Sequence, residues 1–370
     1  MPDLSSLLAA ASLAASGAFW ACLAASLRRF RDPADAPADL PMTLIKPVRG
    51  LDDAMEASFR SIVAADPLKV LQVIVALESD DDPAFPVARA FAAAHPDRDV
   101  LVLLTGPAGA RMGKAHNMIE ALKAAKHPRV LFSDADTSIT PALLRETARA
   151  FREGADAVFG LPYHADAPGF GGWCFMVAFN HSYCVPAALA YEAGQFRSFA
   201  GAWMGYTKET LAKVGGLEPF SRSIADDFAL GMAARGAGAR LELLREPVFV
   251  SESGTRPAEA FWHVAKWASI ICWSFPLAWL LAPFVNPVML ALAAVAAAFA
   301  AGASSAPGLV ALGAAFATRA LVGLIQDRRV GRIRRPAWTY LALLGADLGA
   351  VVFWPLGLRR TIEWRGRRYR

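Results

Sequence analysis

Residues 4–27 carry no charged side chain, and this stretch limits the chain to structures that can bury a long apolar helix. It exceeds the roughly 20 residues that a helix needs to cross the hydrocarbon core of a bilayer. Arg28, Arg29 and Arg31 follow it directly, and clustered positive charge marks the cytoplasmic end of a span. The pattern predicts an N-terminal transmembrane anchor over residues 1–30, with residue 30 onward in the cytoplasm.

A second apolar region begins at residue 268 and has no charged side chain up to residue 300. Pro276, Pro283 and Pro287 interrupt it, and proline in a helix interior kinks or breaks the helix. We expect an interfacial helix over 256–275 and transmembrane or re-entrant helices over 276–358. The individual span candidates are 277–300, 307–325 and 338–358.

Positive charge constrains the last of these candidates. The loop 326–337 holds five arginines and the tail 359–370 holds six, so both are expected in the cytoplasm. The hypothesis is therefore that 338–358 is re-entrant or a broken hairpin, and that 359–370 is a basic cytoplasmic tail. Asp347 inside this segment is either a functional carboxylate or a structural one that snorkels to the membrane surface or pairs with Arg319.

The composition excludes several function classes. The chain is 55% hydrophobic and 19% charged, with a net charge of +5. Its positive residues group at the ends of apolar segments, which suits anionic lipid headgroups, and no nucleic-acid-binding signature accompanies them. The four cysteines form no Cys-x-x-Cys pair, so neither a disulfide framework nor a zinc site is predicted.

Residues 41–255 have a different pattern, in which short apolar runs alternate with helical stretches. Such alternation predicts an α/β domain with a mostly parallel sheet, and ligands of such sheets bind outside the carboxyl ends of the strands. The predicted strands are 42–48, 70–77, 100–105, 130–134 and 157–161. The predicted helices are 53–64, 84–94, 114–126 and 141–153.

Asp134 and Asp136 follow the apolar strand 130–134 directly. Alternate residues of an extended chain point to the same side, so the two carboxylates are expected to converge on one cation. Mg²⁺ or Mn²⁺ prefers carboxylate oxygens and is commonly shared with substrate phosphates. The alternative is an ordinary solvated surface turn.

Two further acidic clusters stand at expected element ends. Asp80, Asp81 and Asp82 follow strand 70–77; one of them either receives a nucleotide or caps the next helix. Asp226 and Asp227 open a helical stretch 226–235, where the helix dipole favours an ionised carboxylate. An ionised carboxylate suits a general base, and the alternative is a helix cap.

Basic and aromatic residues complete the candidate set. Lys46, Arg49 and Lys114 lie near predicted strand ends and are either phosphate contacts or solvated surface charges. Trp267 belongs to an aromatic segment at 262–267 that is either an interfacial belt or part of the site. His181 is either a satisfied polar residue or an acceptor contact.

Several weak motifs occur in the order found in the inverting glycosyltransferases of the GT-A fold, and the resemblance is closest to the ceramide glucosyltransferases. It covers nearly the whole chain and implies a Rossmann-like, mostly parallel GT-A catalytic domain with flanking transmembrane helices. The motifs are LIKPVRGLDD, DDDPAFPV, SDAD, GLPYHADAPGF, IADDFA and IEWRGRRYR.

The resemblance also implies roles for individual residues. Asp227 is the general base, and Asp134 and Asp136 hold the metal. The final motif of the family usually has arginine where this chain has Lys266, which keeps the charge but loses the bidentate fork. The resemblance implies that Asp82, with Asp80 as an alternative, and Asp134 contact the nucleotide sugar and that Asp226 is the acidic neighbour of the base. With the candidates chosen by position, the nucleotide-sugar contacts are Asp82, Asp80, Asp134, Lys114, Arg49 and Lys266, and the acceptor or sugar contacts are Trp267, His181 and Asp226.

The function expected from these features is the transfer of a sugar, with glucose favoured, from a UDP-sugar to the primary hydroxyl of a membrane lipid. A ceramide-type acceptor is favoured, and a hopanoid or a polyprenyl phosphate is the alternative. A non-catalytic membrane protein that binds a nucleotide sugar is the alternative of another class. The expected partners are the UDP-sugar, the acceptor lipid and the bilayer, with no nucleic acid, and the expected location is a bacterial inner membrane.

Overall fold

The structure is a computed structural model that describes residues 3–31, 37–51, 54–166, 169–197, 199–251, 256–364 and 367–369. Parts of three motifs, namely residues 52–53, 167–168, 365–366 and 370, lie outside the described residues, as do positions 252–255 of the predicted catalytic domain. The chain divides into two compact units. The sheet unit comprises Phe30–Asp166 and Ala193–Gly254, and the helical unit comprises Met1–Arg29, Ala167–Glu192 and Thr255–Arg370.

All five predicted strands, the four predicted helices and the helical stretch predicted over 226–235 are present, with shifted ends. The strands are β1 Met42–Pro47, β2 Leu71–Leu77, β3 Asp99–Leu104, β4 Arg129–Phe132, β5 Thr137–Ser138, β6 Ala157–Phe159, β7 Pro162–Asp166, β8 Met204–Thr207, β9 Leu241–Leu243, β10 Val248–Ser251, β11 Ile362–Trp364 and β12 Arg367–Tyr369. The helices of the first two thirds are α1 Leu4–Arg29, α2 Met55–Ala65, α3 Phe85–Ala94, α4 Gly113–Ala124, α5 Pro141–Arg152, α6 Gly169–Ala178, α7 Cys184–Glu192, α8 Lys208–Lys213 and α9 Asp226–Gly236. The remaining helices are α10 Pro257–Ser274, α11 Pro276–Val285, α12 Pro287–Ala300, α13 Ala306–Arg329, α14 Trp338–Leu341 and α15 Leu343–Leu356.

The sheet unit is built on a mixed sheet whose described strands run in the order β3-β2-β1-β4-β8-β6-β9. The pairs β1–β2, β2–β3, β1–β4 and β6–β9 are parallel, which confirms a mostly parallel sheet. Strand β8 is antiparallel to both β4 and β6. It was not predicted, because its four residues, MGYT, carry no long apolar run.

Strands β1 and β2 are buried along their whole length. Parallel strands are covered on both faces, so their sequences are continuous apolar runs rather than alternating ones. Helix α5 follows β5 and starts at a proline, with the Thr140 hydroxyl accepting a hydrogen bond from the Leu143 amide at 3.0 Å. A side-chain acceptor at this position satisfies an otherwise unpaired helix amide.

The order of the strands determines where a ligand can bind. From β1 the chain moves outward through β2 to β3, and it then returns to the other side of β1 as β4. This reversal makes the gap between the carboxyl ends of β1 and β4 a topological switch point, where open α/β sheets bind their ligands.

The helical unit contains three described helical segments long and apolar enough to cross a membrane, namely Leu4–Arg29, Ala306–Arg329 and Trp338–Leu356. They indicate a membrane protein. The expected single span near 277–300 is wrong as one helix, because α11 ends at Val285 and α12 begins at Pro287. Helices α10 and α11 meet at 118°, so together they form a broken span or a re-entrant loop.

Arg319 and Asp347 pair inside the helical unit. Their side chains are 2% and 5% exposed, and the guanidinium donates to both carboxylate oxygens at 2.8 and 3.0 Å. The same guanidinium donates to the backbone carbonyl of His181 at 2.6 Å. The structural alternative for Asp347, a pair with Arg319, is therefore confirmed.

Candidate active site

The acidic pair Asp134 and Asp136 lies at the switch point, but not on an extended chain as expected. Strand β4 ends at Phe132 instead of residue 134, and the Thr137 amide donates to the carbonyl of Asp134 at 3.3 Å across a turn. The convergence of the carboxylates therefore cannot be argued from strand alternation. Asp134 is 35% exposed, so its carboxylate remains accessible to a ligand.

Lys46, near the end of β1, is fully buried beneath this turn. Its ammonium donates to the carbonyl of Asp134 at 2.8 Å and to the hydroxyl of Ser133 at 3.2 Å. Burial lowers the pKa of Lys46 to about 8, and the charges of Asp136 and Asp134 oppose that shift. We conclude that Lys46 holds the turn in place, since it is too deeply buried to meet a phosphate.

Lys114 is the second residue of α4, and its Nζ lies 2.5 Å from Oδ1 of Asp134. Desolvation alone would lower the pKa of Lys114, but the charges of Asp134, Asp226 and Asp227 raise it well above its ordinary value. The side chain is therefore a permanent cation surrounded by carboxylates from two other chain segments.

Asp226 and Asp227 begin α9 as predicted. Asp227 accepts hydrogen bonds from the amide of Gly201 at 2.8 Å and from that of Phe228 at 2.7 Å. Desolvation raises the pKa of both carboxyls, and the charge of Lys114 opposes the rise. Neither side chain serves as the N-cap, because Ala225 occupies that position and makes no side-chain cap bond.

Gly201 was not predicted from the sequence, and it lies where three charged side chains meet. A β carbon built on it would lie 2.6 Å from Nζ of Lys114, 3.3 Å from Oδ2 of Asp227 and 3.5 Å from Oδ2 of Asp134. Three predicted site residues from separate parts of the chain thus surround one glycine. The available signal was the small-residue run at 200–202, which allows close backbone approach.

Asp82 and Asp80 differ in their surroundings. The carboxylate of Asp82 accepts hydrogen bonds from the amide of Gly50 at 3.0 and 3.1 Å and from that of Ala84 at 2.9 Å. It therefore fixes the loop after β1 and the start of α3. Asp80 is exposed beside Ser79.

Arg49 lies beside the start of α4. A β carbon on Gly113 would be 2.6 Å from Oε1 of Glu78 and 3.6 Å from Nη1 of Arg49. Gly113 precedes Lys114, so Arg49 and Glu78 border the same site. Glu78 was not predicted, although it follows β2 as Asp134 follows β4. Its Oε1 is buried and has no hydrogen-bond partner among the described residues.

The acidic pair has the right donor chemistry for a divalent cation. Among the described residues, no group of three or more His, Cys, Asp or Glu side chains forms a metal site. Asp134 and Asp136 supply only carboxylate oxygens, and Asp134 is open to the cleft. Mg²⁺ normally uses one or two carboxylates and completes its shell with water and substrate phosphates, so these residues fit Mg²⁺ or Mn²⁺.

Three predicted residues belong to the helical unit. Trp267 packs against Phe175 and Phe179, with ring centroids 4.7 Å apart in both pairs, and Lys266 precedes it in α10. His181 is fully buried in a π-helical turn, Phe179–Tyr183, with Nε2 at 3.4 Å from the carboxylate of Asp327. The contacts of Trp267, Lys266 and His181 with donor and acceptor remain predictions.

Comparison with known proteins identifies a family. The sequence model of glycosyl transferase family 21 matches residues 7–370. Ceramide glucosyltransferase 1 of Caenorhabditis elegans is 24% identical over 66% of the chain, and ceramide glucosyltransferase 3 of the same organism is 23% identical over 62%. The chain spans about half the length of these curated relatives, 53% and 50%.

A solved structure supports the fold. A mannosyltransferase from Pyrobaculum calidifontis, in complex with GDP-mannose and Mn²⁺, superposes with a TM-score of 0.55 at 21% identity. The match covers 93% of this chain and 98% of the mannosyltransferase. At this level of identity the comparison establishes the GT-A fold.

Proposed function

The chain belongs to glycosyl transferase family 21, and on that premise we propose that it transfers glucose from UDP-glucose to the primary hydroxyl of a ceramide-type membrane lipid, with inversion. The observation that carries the proposal is the meeting of Lys114, Asp134 and Asp227 around Gly201 at the switch point of the sheet. The ceramide glucosyltransferases among its relatives support the sugar and the lipid.

The donor occupies the cleft beyond β1 and β4. Lys114 and Arg49 provide positive charge for the diphosphate, with Lys266 as a further cation, and Asp82 or Asp80 receives the nucleotide. Asp134 and Asp136 would hold Mg²⁺ or Mn²⁺. Such an ion supplies neutralisation of the charge that develops on the departing diphosphate.

Asp227 acts on the acceptor. It accepts amide hydrogen bonds from Gly201 and Phe228, which stabilise the ionised form and fix its orientation. The ionised carboxylate removes the proton of the lipid hydroxyl. That oxygen attacks the anomeric carbon on the face opposite the diphosphate, the bond to the diphosphate breaks, and the configuration inverts. Asp226 adds negative charge beside the base.

The candidate spans bring the apolar acceptor to the protein. A lipid that stays in the bilayer reaches a membrane-embedded enzyme by lateral diffusion. Trp267 is proposed to contact the acceptor or the sugar, whereas His181, which is fully buried beside Asp327, is proposed to be structural. We further propose that the sheet unit faces the cytoplasm of a bacterial inner membrane, because arginines flank the apolar segments at 28–31 and 328–335.

The test uses the purified full chain in vesicles of neutral lipid with ceramide, radiolabelled UDP-glucose and Mn²⁺. We expect labelled glycolipid from the wild type and an approximately 10³-fold lower kcat from Asp227→Asn, as is typical for loss of a general base. Asp97→Asn is the matched control, since Asp97 is an exposed carboxylate paired with Lys69 just before the amino end of β3. Its kcat should not change.

Three results would count against this assignment. Full turnover by Asp227→Asn would remove the base. Transfer to a polyprenyl phosphate that survives Asp227→Asn would favour that acceptor, because an ionised phosphate needs no base. Binding of UDP-glucose without transfer to any lipid, under conditions that support the folded protein, would favour a non-catalytic binding protein.

A further inference from the structure

A basic groove lies in the helical unit at the end of α13. It has a volume of about 780 Å³, and four arginines line it together with leucine and isoleucine side chains. All four guanidinium side chains are on exposed residues. The lining residues used below are Arg328, Arg329, Arg332, Arg334, Leu324 and Ile333.

The groove lies along the chain between two candidate membrane spans. One candidate span ends at Arg329 and the next begins at Trp338, so the eight residues between them cannot be far from the bilayer boundary. Trp338 is 58% exposed, and tryptophan is enriched at the headgroup level of membranes. We therefore expect the arginines of this loop at the depth of the lipid phosphates.

The backbone after α13 reverses so that separate arginines line one groove. The amides of Val330 and Gly331 both donate to the carbonyl of Gln326, at 2.9 and 3.1 Å, and the amide of Ile333 donates to that of Asp327 at 2.8 Å. Arg332 takes a left-handed conformation with φ of 54°, which is costly for a residue with a β carbon.

The segment that forms the groove is rich in arginine and poor in carboxylates. Between residues 306 and 337 the sequence has six arginines and one carboxylate, Asp327. That carboxylate is fully buried. It accepts hydrogen bonds from Nε of Arg335 and from the hydroxyl of Tyr340, each at 3.1 Å. Its charge is thus used inside the unit, by groups that do not line the groove.

We propose that this groove binds the phosphate of an anionic phospholipid headgroup. Guanidinium groups match phosphate oxygens in charge and geometry, and the side chains of Leu324 and Ile333 supply apolar surface for the glycerol and first acyl carbons. The groove residues are not among those proposed for sugar transfer, and the site would exist whichever sugar or acceptor the enzyme uses.

The test is native mass spectrometry of the delipidated full chain in a neutral detergent, with phosphatidylglycerol and phosphatidylcholine added in equal amounts. We expect the wild type to retain phosphatidylglycerol preferentially. Arg328→Gln combined with Arg332→Gln should weaken this binding by about 30-fold, as two lost arginine–headgroup interactions imply. The charge-matched control, Arg60→Gln with Arg89→Gln, removes two exposed arginines of the sheet unit and should bind as the wild type does.

The proposal is overturned if the wild type retains both lipids equally, or if the control pair loses phosphatidylglycerol to the same extent. Displacement of the lipid by an equal concentration of inorganic phosphate would also overturn it, because the site would then be one for free anions. If the double variant does not purify folded, Arg334→Gln alone should weaken binding by about fivefold, and unchanged binding would reject the site.

Discussion

Replacing Gly201 by alanine tests whether the position of the Lys114 ammonium matters for the reaction. The new methyl group would lie 2.6 Å from Nζ of Lys114, whereas ordinary non-bonded contacts are about 3.5 Å or longer. The ammonium must therefore retreat by about 0.9 Å, since contact begins near 3.5 Å. Gly201 is not among the glycines with positive φ, so alanine fits the backbone there.

The expected loss follows from this displacement. Nζ of Lys114 is at the end of a flexible side chain, so the protein accommodates the methyl group without unfolding. The displaced ammonium loses its 2.5 Å contact with Asp134 and its alignment with the donor. A misplacement of about 1 Å in a catalytic constellation can cost roughly 100-fold in rate. We expect kcat to fall by about that factor while the thermal unfolding midpoint stays within about 2 °C of the wild type, as a near-neutral substitution implies.

The assay is the initial rate of labelled glycolipid formation at saturating UDP-glucose. Gly236→Ala is the matched control, because a β carbon there meets no atom within 4 Å. The substitution Lys114→Met, alone and combined with Gly201→Ala, completes a double-mutant cycle. If the alanine acts through Lys114, the double variant is no slower than Lys114→Met. A Gly201→Ala enzyme with more than half of the wild-type kcat would refute the reasoning.

Three further predictions follow from the same structure. Desolvation raises the pKa of Asp227 and the charge of Lys114 opposes it, so Lys114→Met should raise that pKa further and move the acidic limb of the kcat/KM profile to higher pH. Arg319→Met leaves the carboxylate of Asp347 buried without its partner and should lower the free energy of unfolding by about 3–5 kcal/mol, measured by thermal unfolding in detergent. Adding Asp347→Leu to that variant should restore much of the stability, since replacement of a whole buried ion pair is often neutral.

Each of these has a contradicting result. An acidic limb that stays in place in Lys114→Met would mean that the lysine does not control the base. Arg319→Met with wild-type stability would mean that Asp347 finds water or another partner. A double variant less stable than Arg319→Met alone would mean that Asp347 contributes through its bond from Asn286 more than through the arginine.

Local sequence patterns predicted the elements that depend on local chemistry. The five strands of the middle region were recognisable because parallel strands buried on both faces need continuous apolar runs. The position of Asp227 at the start of α9 was predictable because a helix start can be read from the sequence itself. The family resemblance supplied the family and the fold name. The match of the family model over residues 7–370 confirms the family, and the superposition on the solved mannosyltransferase confirms the fold.

Features that depend on distant pairing were not predictable in this way. Strand β8 is defined by its antiparallel neighbours β4 and β6, which its own short sequence does not indicate. The turn at Asp134 is held by Lys46 from another strand. Gly201 became a site residue only when Lys114, Asp134 and Asp227 were seen around it.

The buried pair of Arg319 and Asp347 has a consequence for how the protein is made. Arg319 in α13 and Asp347 in α15 are each expensive in hydrocarbon when they stand alone. Ribosomal synthesis exposes α13 to the insertion machinery before α15 has been made. The cation of α13 should therefore wait at a wet or protein-lined site until the later helix brings its carboxylate, so that the two helices enter the lipid phase together.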